Sequence, residues 1–211
     1  MQLKGKSAVI TGAGRGIGKD IARRFASEGA EVIIAEIDKA HAESVVMDIK
    51  NGGGTAHAII CDVSEPNDVD SLFQQSYDLN GRPLDILVNN AGIAHHGAFL
   101  KTPIDEWERV LKNNLTSIFL CSQTAARQME GIGEGNIINI GSISGQRGSF
   151  GRTAYGVAKA GVHQMTRIMA VELGPMGINV NAIAPGPIDT GITSFGPDQK
   201  RRYLERIPSN R

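Results

Sequence analysis

Short apolar segments alternate with longer segments of helical periodicity along most of the chain. The short segments are rich in valine, isoleucine and alanine with little polar alternation, which is typical of strands covered on both faces. They predict six strands, at residues 8–11, 32–35, 58–61, 86–88, 137–140 and 179–183. Between them the pattern predicts five helices, at residues 17–27, 39–50, 66–79, 105–129 and 154–173.

This alternation of strands and helices also predicts the fold class. Repeated strand–helix–strand units with right-handed crossovers form a parallel sheet with helices on both faces. We therefore expect an α/β protein with a Rossmann-like doubly wound parallel sheet. No change in composition marks a second domain, so residues 1–211 are expected to form a single domain.

The charge balance and the spacing of the cysteines exclude several classes of binding partner. Twenty-two Lys and Arg are balanced by 22 Asp and Glu, so the basic excess that binds nucleic acids and anionic membranes is lacking. No apolar run reaches the length of a signal peptide or a membrane span. Cys61 and Cys121 lack the spacing of a metal site. The sequence predicts a cytoplasmic protein that acts on a small molecule, without a metal, nucleic acid or membrane partner.

A glycine-rich turn, Thr-Gly-Ala-Gly-Arg-Gly-Ile-Gly at residues 11–18, follows the first predicted strand and opens a helix. We expect Gly12 to permit the tight turn, Gly16 to let backbone approach phosphates, and Gly18 to let the helix pack on the strand. The unpaired N–H groups of such a helix N-terminus bind the pyrophosphate of a dinucleotide. The spacing differs from the common G-x-G-x-x-G fingerprint, and a glycine turn alone also fits an ordinary loop.

An acidic residue at the end of the second strand bears on which dinucleotide binds. Glu36 lies about 20 residues beyond the glycine turn, where a carboxylate accepts hydrogen bonds from the adenosine ribose hydroxyls. The same carboxylate would repel the 2′-phosphate of NADP, whereas the guanidinium of Arg15 could pair with that phosphate. We expect the contacting carboxylate to dominate, so NAD is favoured over NADP.

A tyrosine and a lysine at the start of the last predicted helix suggest proton transfer. Tyr155 and Lys159 are four residues apart and therefore share a helix face. A free phenol is too weak an acid to protonate a ketone readily at neutral pH, and a neighbouring ammonium favours the phenolate form. Such a pair recurs by chance, but Ser142 and the Asn-Asn-Ala-Gly segment at 89–92 each follow a predicted strand, where open α/β sheets bind ligands.

With these motifs the sequence resembles the short-chain dehydrogenase/reductase family in its most common subclass. The matching residues, in family order and at family-like spacing, are Thr11, Gly12, Gly16, Gly18, Asp62, Asn89, Asn90, Ala91, Gly92, Asn114, Ser142, Tyr155, Lys159, Pro185 and Gly186. The resemblance implies that Tyr155 is the general acid/base and that Lys159 assists it and holds the nicotinamide ribose. It also implies that Ser142 binds the substrate oxygen and that Asn114 anchors a water in a proton relay.

The resemblance further implies which residues hold the cofactor. The expected cofactor-binding residues are Gly12, Arg15, Gly16, Ile17, Gly18, Glu36, Asp62, Val63, Asn90, Ala91, Gly92, Tyr155, Lys159, Pro185, Gly186, Ile188 and Thr190. Among them Asp62 would contact the adenine. The backbone of Ile188 and the hydroxyl of Thr190 would meet the nicotinamide carboxamide.

The substrate is less constrained than the cofactor. The expected substrate residues are Ser142, Ser144, Gln146, Arg152 and Tyr155. Arginines at 147 and 152 fit an anionic substrate or a plain surface. The predicted function is hydride transfer between NAD(H) and a secondary alcohol or ketone, with a sugar or polyol as the first expectation. A 3-oxoacyl thioester reductase using NADPH is the alternative, and a non-catalytic dinucleotide-binding sensor or scaffold is an alternative of another class.

The resemblance also leads to expectations about the C-terminus and about the formation of an oligomer. Family members continue past this point into another helix and a seventh strand, which help to form a homo-oligomer, a tetramer or a dimer. We expect such assembly here, and we expect that the sequence is incomplete rather than truncated in nature. Residues 193–211 are expected to belong to a mobile lid over the substrate.

Overall fold

A six-stranded sheet runs through the centre of the computed structural model, which describes residues 1–190 together with 201, 204 and 205. The predicted lid, residues 193–211, lies outside the described residues except at those three positions. All neighbouring strands are parallel, in the order β3-β2-β1-β4-β5-β6. The strands are β1 (Ser7–Thr11), β2 (Glu31–Glu36), β3 (Thr55–Ile60), β4 (Ile86–Asn89), β5 (Gly135–Ile140) and β6 (Ile178–Ile183). The predicted fold class is confirmed.

Helices cover both faces of this sheet. They are α1 (Gly16–Ser27), α2 (Lys39–Asn51), α3 (Pro66–Asn80), α4 (Ile104–Leu111), α5 (Ser117–Glu130) and α6 (Thr153–Leu173). Successive strand residues point to opposite faces. Val9 of β1 accordingly packs in one buried cluster with Phe73 of α3 and Met129 of α5. Ile10 packs in the other cluster with Ala22 of α1 and Val45 of α2.

The structure corrects two predicted boundaries. The single helix expected at 105–129 is two helices, α4 and α5, joined by a π-helical turn at Lys112–Thr116. The side chain of Asn114 donates to the backbone of Val110 within this turn, and side-chain bonds of this kind compete with regular helical bonding. Strand β3 starts at Thr55 rather than at residue 58, because the half-exposed edge strand carries polar residues that interrupt its apolar pattern.

A buried carboxylate ties the amino ends of β1 and β4 together. Asp85 is only 7% exposed, and it accepts from the Ser7 N–H at 2.8 Å and from Lys6 Nζ at 3.0 Å. Arg82 also donates to it, at 2.5 Å. Burial raises the pKa of the Asp85 carboxyl, but the hydrogen bonds from Ser7, Lys6 and Arg82 outweigh burial and hold this pKa below its ordinary value of 3.8.

We expect Asp85→Asn to lower the free energy of unfolding at pH 7 by about 3 kcal/mol, because the cations and the Ser7 N–H lose a charged acceptor. The folded pKa lies below the unfolded one, so this stabilisation is complete above about pH 4 and is lost as the pH falls further. Urea unfolding at pH 7 and pH 3 measures the effect. The exposed Asp70→Asn serves as the control, and equal midpoints for the two variants at pH 7 would contradict the prediction.

Candidate functional site

Most of the predicted site residues line one open cleft of about 470 Å³ at the carboxyl ends of the strands. This is the edge at which open α/β sheets bind ligands. Every predicted site residue lines the cleft except Gly16, Gly18 and Gln146. A second groove of about 500 Å³, between α2, β3 and α3, contains none of the predicted site residues.

The glycine turn is shaped by close backbone contacts. Gly12 has a φ of +61°, and a Cβ at this position would lie 2.8 Å from the Cα of Ala91. A Cβ on Gly18 would collide with Asn90 and with the Gly12 carbonyl. Asn90 Nδ2 donates to the carbonyls of Thr11 and Gly12, at 3.0 and 2.9 Å. The segment after β4 therefore holds the turn in place, and Gly18 acts by packing rather than by lining the cleft.

The N-terminus of α1 fits an anionic group. Arg15 at the N-cap provides no side-chain hydrogen bond to the helix, and the first turn contains no acidic residue. The amide groups of this end and the positive end of the helix dipole are therefore left without a side-chain partner. Arg15 and Ile17 also line the cleft. Together with the close-packed glycines, this arrangement suits the pyrophosphate of a dinucleotide.

Glu36 lies at the edge of the same turn. Its Oε2 accepts from the Gly14 N–H at 2.9 Å and its Oε1 from the Ile37 N–H at 2.9 Å, so the carboxylate has a fixed position at the end of β2. A carboxylate has further lone pairs and can also accept from ribose hydroxyls. A phosphate group at this position would instead face a negative charge.

The next part of the cleft wall follows β3. Asp62 Oδ1 accepts from the Ser64 N–H at 2.9 Å, and the Asp62 N–H donates to Asp68 at 2.9 Å. These bonds fix the turn that presents Asp62 and Val63 to the cleft. On the opposite side, Pro185, Gly186, Ile188 and Thr190 follow β6 and also line the cleft.

The first turns of α6 bring the tyrosine and the lysine together. Lys159 is 4% exposed, and its Nζ donates to the Ile140 carbonyl at 2.7 Å. Lys159 Nζ lies 5.8 Å from the centroid of the Tyr155 ring. Burial lowers the pKa of Lys159 to about 8, so its ammonium still predominates at pH 7. A buried cation thus stands beside the phenol, as the spacing of these two residues predicts.

Ser142 is buried directly after β5. Its Oγ accepts from the Ser144 N–H at 3.1 Å, so its own O–H remains free to donate to a ligand. The Ser142 N–H donates to His163 Nε2 at 3.4 Å. Burial lowers the pKa of His163, which agrees with an imidazole nitrogen that accepts a hydrogen bond.

Asn114 is fully buried in the π-helical turn. Its Nδ2 donates to the carbonyls of Val110 and Ile93, at 2.9 and 3.0 Å, and its Oδ1 accepts from the Ile93 N–H at 3.1 Å. Both amide hydrogens are therefore occupied. The predicted relay water would have to accept its hydrogen bond elsewhere and could approach this side chain only at its oxygen.

The part of the cleft that contains Tyr155 holds a contact that the sequence pattern did not indicate. Arg152 places its guanidinium carbon 5.5 Å from the centroid of the Tyr155 ring, and it donates to the carbonyl of His95 at 3.4 Å. His96 and Phe150 also line this part. The clustering of histidines and arginines in two loops was the available signal, but nothing in their spacing indicates that the loops meet.

Not all of the expected substrate residues line the cleft. Ser144 and Arg152 line the cleft, whereas Gln146 is exposed and lies outside its wall. The Gln146 N–H donates to the Ile143 carbonyl within a short turn, and this turn directs the chain away from the cleft at residue 146.

In the part of the chain that the structure describes, no helix has the length and apolar character needed to cross a membrane. The same residues contain no group of three or more His, Cys, Asp or Glu side chains that could hold a metal ion.

Comparisons with known proteins agree with this geometry. The profile of the short chain dehydrogenase family matches residues 6–200. The 3-oxoacyl-[acyl-carrier-protein] reductases of Aquifex aeolicus and Pseudomonas aeruginosa are 39% and 40% identical, and the matches cover 100% of this chain and 86% and 85% of theirs. A 7α-hydroxysteroid dehydrogenase solved with NADH and 7-oxo glycochenodeoxycholic acid is 38% identical, with a TM-score of 0.96 over 100% of this chain and 82% of that one. This chain belongs to the short-chain dehydrogenase/reductase family.

Proposed function

We propose that this protein transfers a hydride between NAD(H) and the carbon atom of a secondary alcohol or its ketone. The observation that carries the proposal is the placement of Tyr155, the buried ammonium of Lys159 and the hydroxyl of Ser142 on the wall of one cleft. The glycine turn and Glu36 line the same cleft. A protein that only bound the dinucleotide would not require this proton-transfer set.

Different residues of the chain have different roles in the reaction. When bound, the nicotinamide ring supplies or accepts the hydride. In the oxidation direction, Ser142 donates a hydrogen bond to the substrate oxygen and holds it beside Tyr155. Tyr155 takes the hydroxyl proton while the carbon loses its hydride to the ring, and the buried ammonium of Lys159 lies beside the tyrosine ring. In the reduction direction the same phenol returns the proton.

We propose NAD rather than NADP as the cofactor, because Glu36 would face a 2′-phosphate. We expect the wild-type kcat/KM with NADH to exceed that with NADPH at least about tenfold, since the carboxylate favours ribose hydroxyls and repels the phosphate. Glu36→Ser should reverse much of this preference because Arg15 remains to pair with the phosphate. Parallel assays with both cofactors measure the preference, with Glu43→Gln on the exposed side of α2 as control. A wild-type preference for NADPH would refute the assignment.

For the substrate we propose a compound with a 3-oxo or 3-hydroxyacyl group. The sequence favours a sugar or polyol, but the reductases of Aquifex aeolicus and Pseudomonas aeruginosa named above support the acyl alternative. We combine this acyl class with NAD because of the position of Glu36. The test is a panel of 3-oxoacyl thioesters, 3-hydroxy acids, sugars and polyols, monitored by the absorbance of the reduced nicotinamide. Turnover of sugars alone would exclude the acyl class.

A further inference from the structure

The substrate end of the cleft carries positive charge that the reaction itself does not require. Among the described lining residues, the only carboxylates are Glu36 and Asp62, which follow β2 and β3 beside the glycine turn. Arg147 and Arg152 line the other end, together with Tyr155. Arg15 also lines the end of the cleft that carries Glu36 and Asp62, so charges of both signs are present there, whereas no described carboxylate lines the cleft beside Arg147, Arg152 and Tyr155.

Arg152 is held beside the tyrosine without a carboxylate partner among the described residues. It is half-buried, its guanidinium carbon lies 5.5 Å from the ring centroid of Tyr155, and its hydrogen bond to the His95 carbonyl is long, at 3.4 Å. A guanidinium has five N–H donors and is costly to bury unless its charge is compensated. Most of these donors remain available to a ligand.

The acid on the neighbouring helix does not compensate this charge. Glu106 of α4 binds Arg109 through both carboxylate oxygens, at 2.8 and 3.0 Å, and also contacts His95 Nδ1 at 3.0 Å. The hydrogen bond from Arg109 and its charge hold the pKa of Glu106 below its ordinary value. The charge of Glu106 is therefore already engaged, and that of Arg152 is left facing the cleft.

We infer that Arg152 binds an anionic oxygen group of the substrate, a carboxylate or a phosphate, a few bonds from the carbon that exchanges the hydride. The inference rests on the proposed function, because Tyr155 must reach the reacting oxygen from the same place. A planar guanidinium matches two oxygens of such a group at once. Within the proposed acyl class, this selects free 3-hydroxy and 3-oxo acids over neutral thioesters.

Pairs of similar substrates, one anionic and one neutral, test this preference for an anion in the wild-type protein. 3-Hydroxybutanoate is compared with butane-1,3-diol and with the neutral N-acetylcysteamine thioester of 3-hydroxybutanoate, and glycerol 3-phosphate is compared with glycerol. We expect one anionic substrate to have a kcat/KM about 10- to 100-fold above that of its neutral partner. The carboxylate and phosphate arms show which anion is preferred. Raising the KCl concentration should reduce the advantage of the anion.

Substitution of the arginine separates binding of the anion from support of the loop. In Arg152→Gln the ratio of kcat/KM between the anionic and the neutral substrate should fall at least about tenfold, and Arg152→Lys should restore part of it. Arg127→Gln, an exposed arginine on α5, should leave the ratio unchanged. An equal loss for both substrates in Arg152→Gln would mean that Arg152 only ties down the His95 loop, and would overturn the inference.

The outcomes distinguish this inference from the function on which it rests. If no secondary alcohol or ketone is turned over although NADH binds, the proposed function fails. If charged and neutral members react equally well, only the inference about Arg152 fails. Should Arg152→Gln not fold, as judged by circular dichroism and NADH binding, the wild-type ratio and its salt dependence decide the question.

Discussion

Tyr155→Phe is expected to lower kcat by about 10²- to 10⁴-fold, the usual contribution of a positioned acid or base. The substitution removes only the hydroxyl, so the ring keeps its contacts with Lys159 and Arg152. The affinity for NADH should change by no more than about tenfold, since the variant loses at most one hydrogen bond to the cofactor. Steady-state assays and NADH fluorescence titration measure the two effects separately.

The control for this variant is Tyr77→Phe, which alters an exposed tyrosine on α3. We expect wild-type activity from it. Activity near the wild-type level in Tyr155→Phe would show that another group transfers the proton. Loss of both activity and NADH binding would mean instead that the hydroxyl is needed to form the cofactor site.

Lys159→Met is expected to change activity and stability in opposite directions. The kcat/KM should fall at least about 100-fold, because the cation beside the tyrosine that transfers the proton is lost. The fall in the pKa of Lys159 from its ordinary value of 10.5 to about 8 corresponds to a burial cost of about 3 kcal/mol in the charged form. Methionine removes this cost but loses the hydrogen bond from the charged Nζ to the Ile140 carbonyl, so we expect a net stabilisation of about 1–2 kcal/mol at pH 7.

The pH dependence of this stabilisation has a definite sign. The folded pKa of Lys159 lies below the unfolded one, so between about pH 8 and 10.5 the unfolded chain binds more protons. Over this range the wild-type protein gains stability from Lys159 as the pH rises, and the advantage of Lys159→Met should shrink. Urea unfolding of both proteins at pH 7 and pH 9.5 measures this, with the exposed Lys101→Met as control. A Lys159→Met variant less stable than wild type at pH 7 would contradict the account.

Local sequence patterns were sufficient to predict much of the fold and the pairing of the tyrosine with the lysine. The buried strands are recognisable because an interior parallel strand is apolar on both faces. The glycine turn is recognisable because its spacing matches the backbone geometry of a strand that leads into a helix. Tyr155 and Lys159 could be paired because residues four apart share a helix face.

Contacts between distant segments were not predictable in the same way. The π-helical turn depends on bonds from Asn114 to Ile93 as well as to Val110, and the first of these joins segments 21 positions apart. The position of Arg152 against the Tyr155 ring depends on the backbone pairing of residues 97 and 151, which links two loops. Such contacts arise from tertiary packing, and they cannot be predicted from the spacing of residues in a single sequence.

The path of the hydride is the central claim, and isotope transfer tests it most directly. The protein would be incubated with NAD and with 3-hydroxybutanoate and its N-acetylcysteamine thioester, each deuterated at the carbinol carbon, and the NADH would be analysed by NMR and mass spectrometry. The account predicts that deuterium appears at C4 of NADH, on a single face of the ring, and that Tyr155→Phe suppresses its appearance. Saturable binding of NADH with no deuterium transferred from these or any other secondary alcohol in the panel would contradict it.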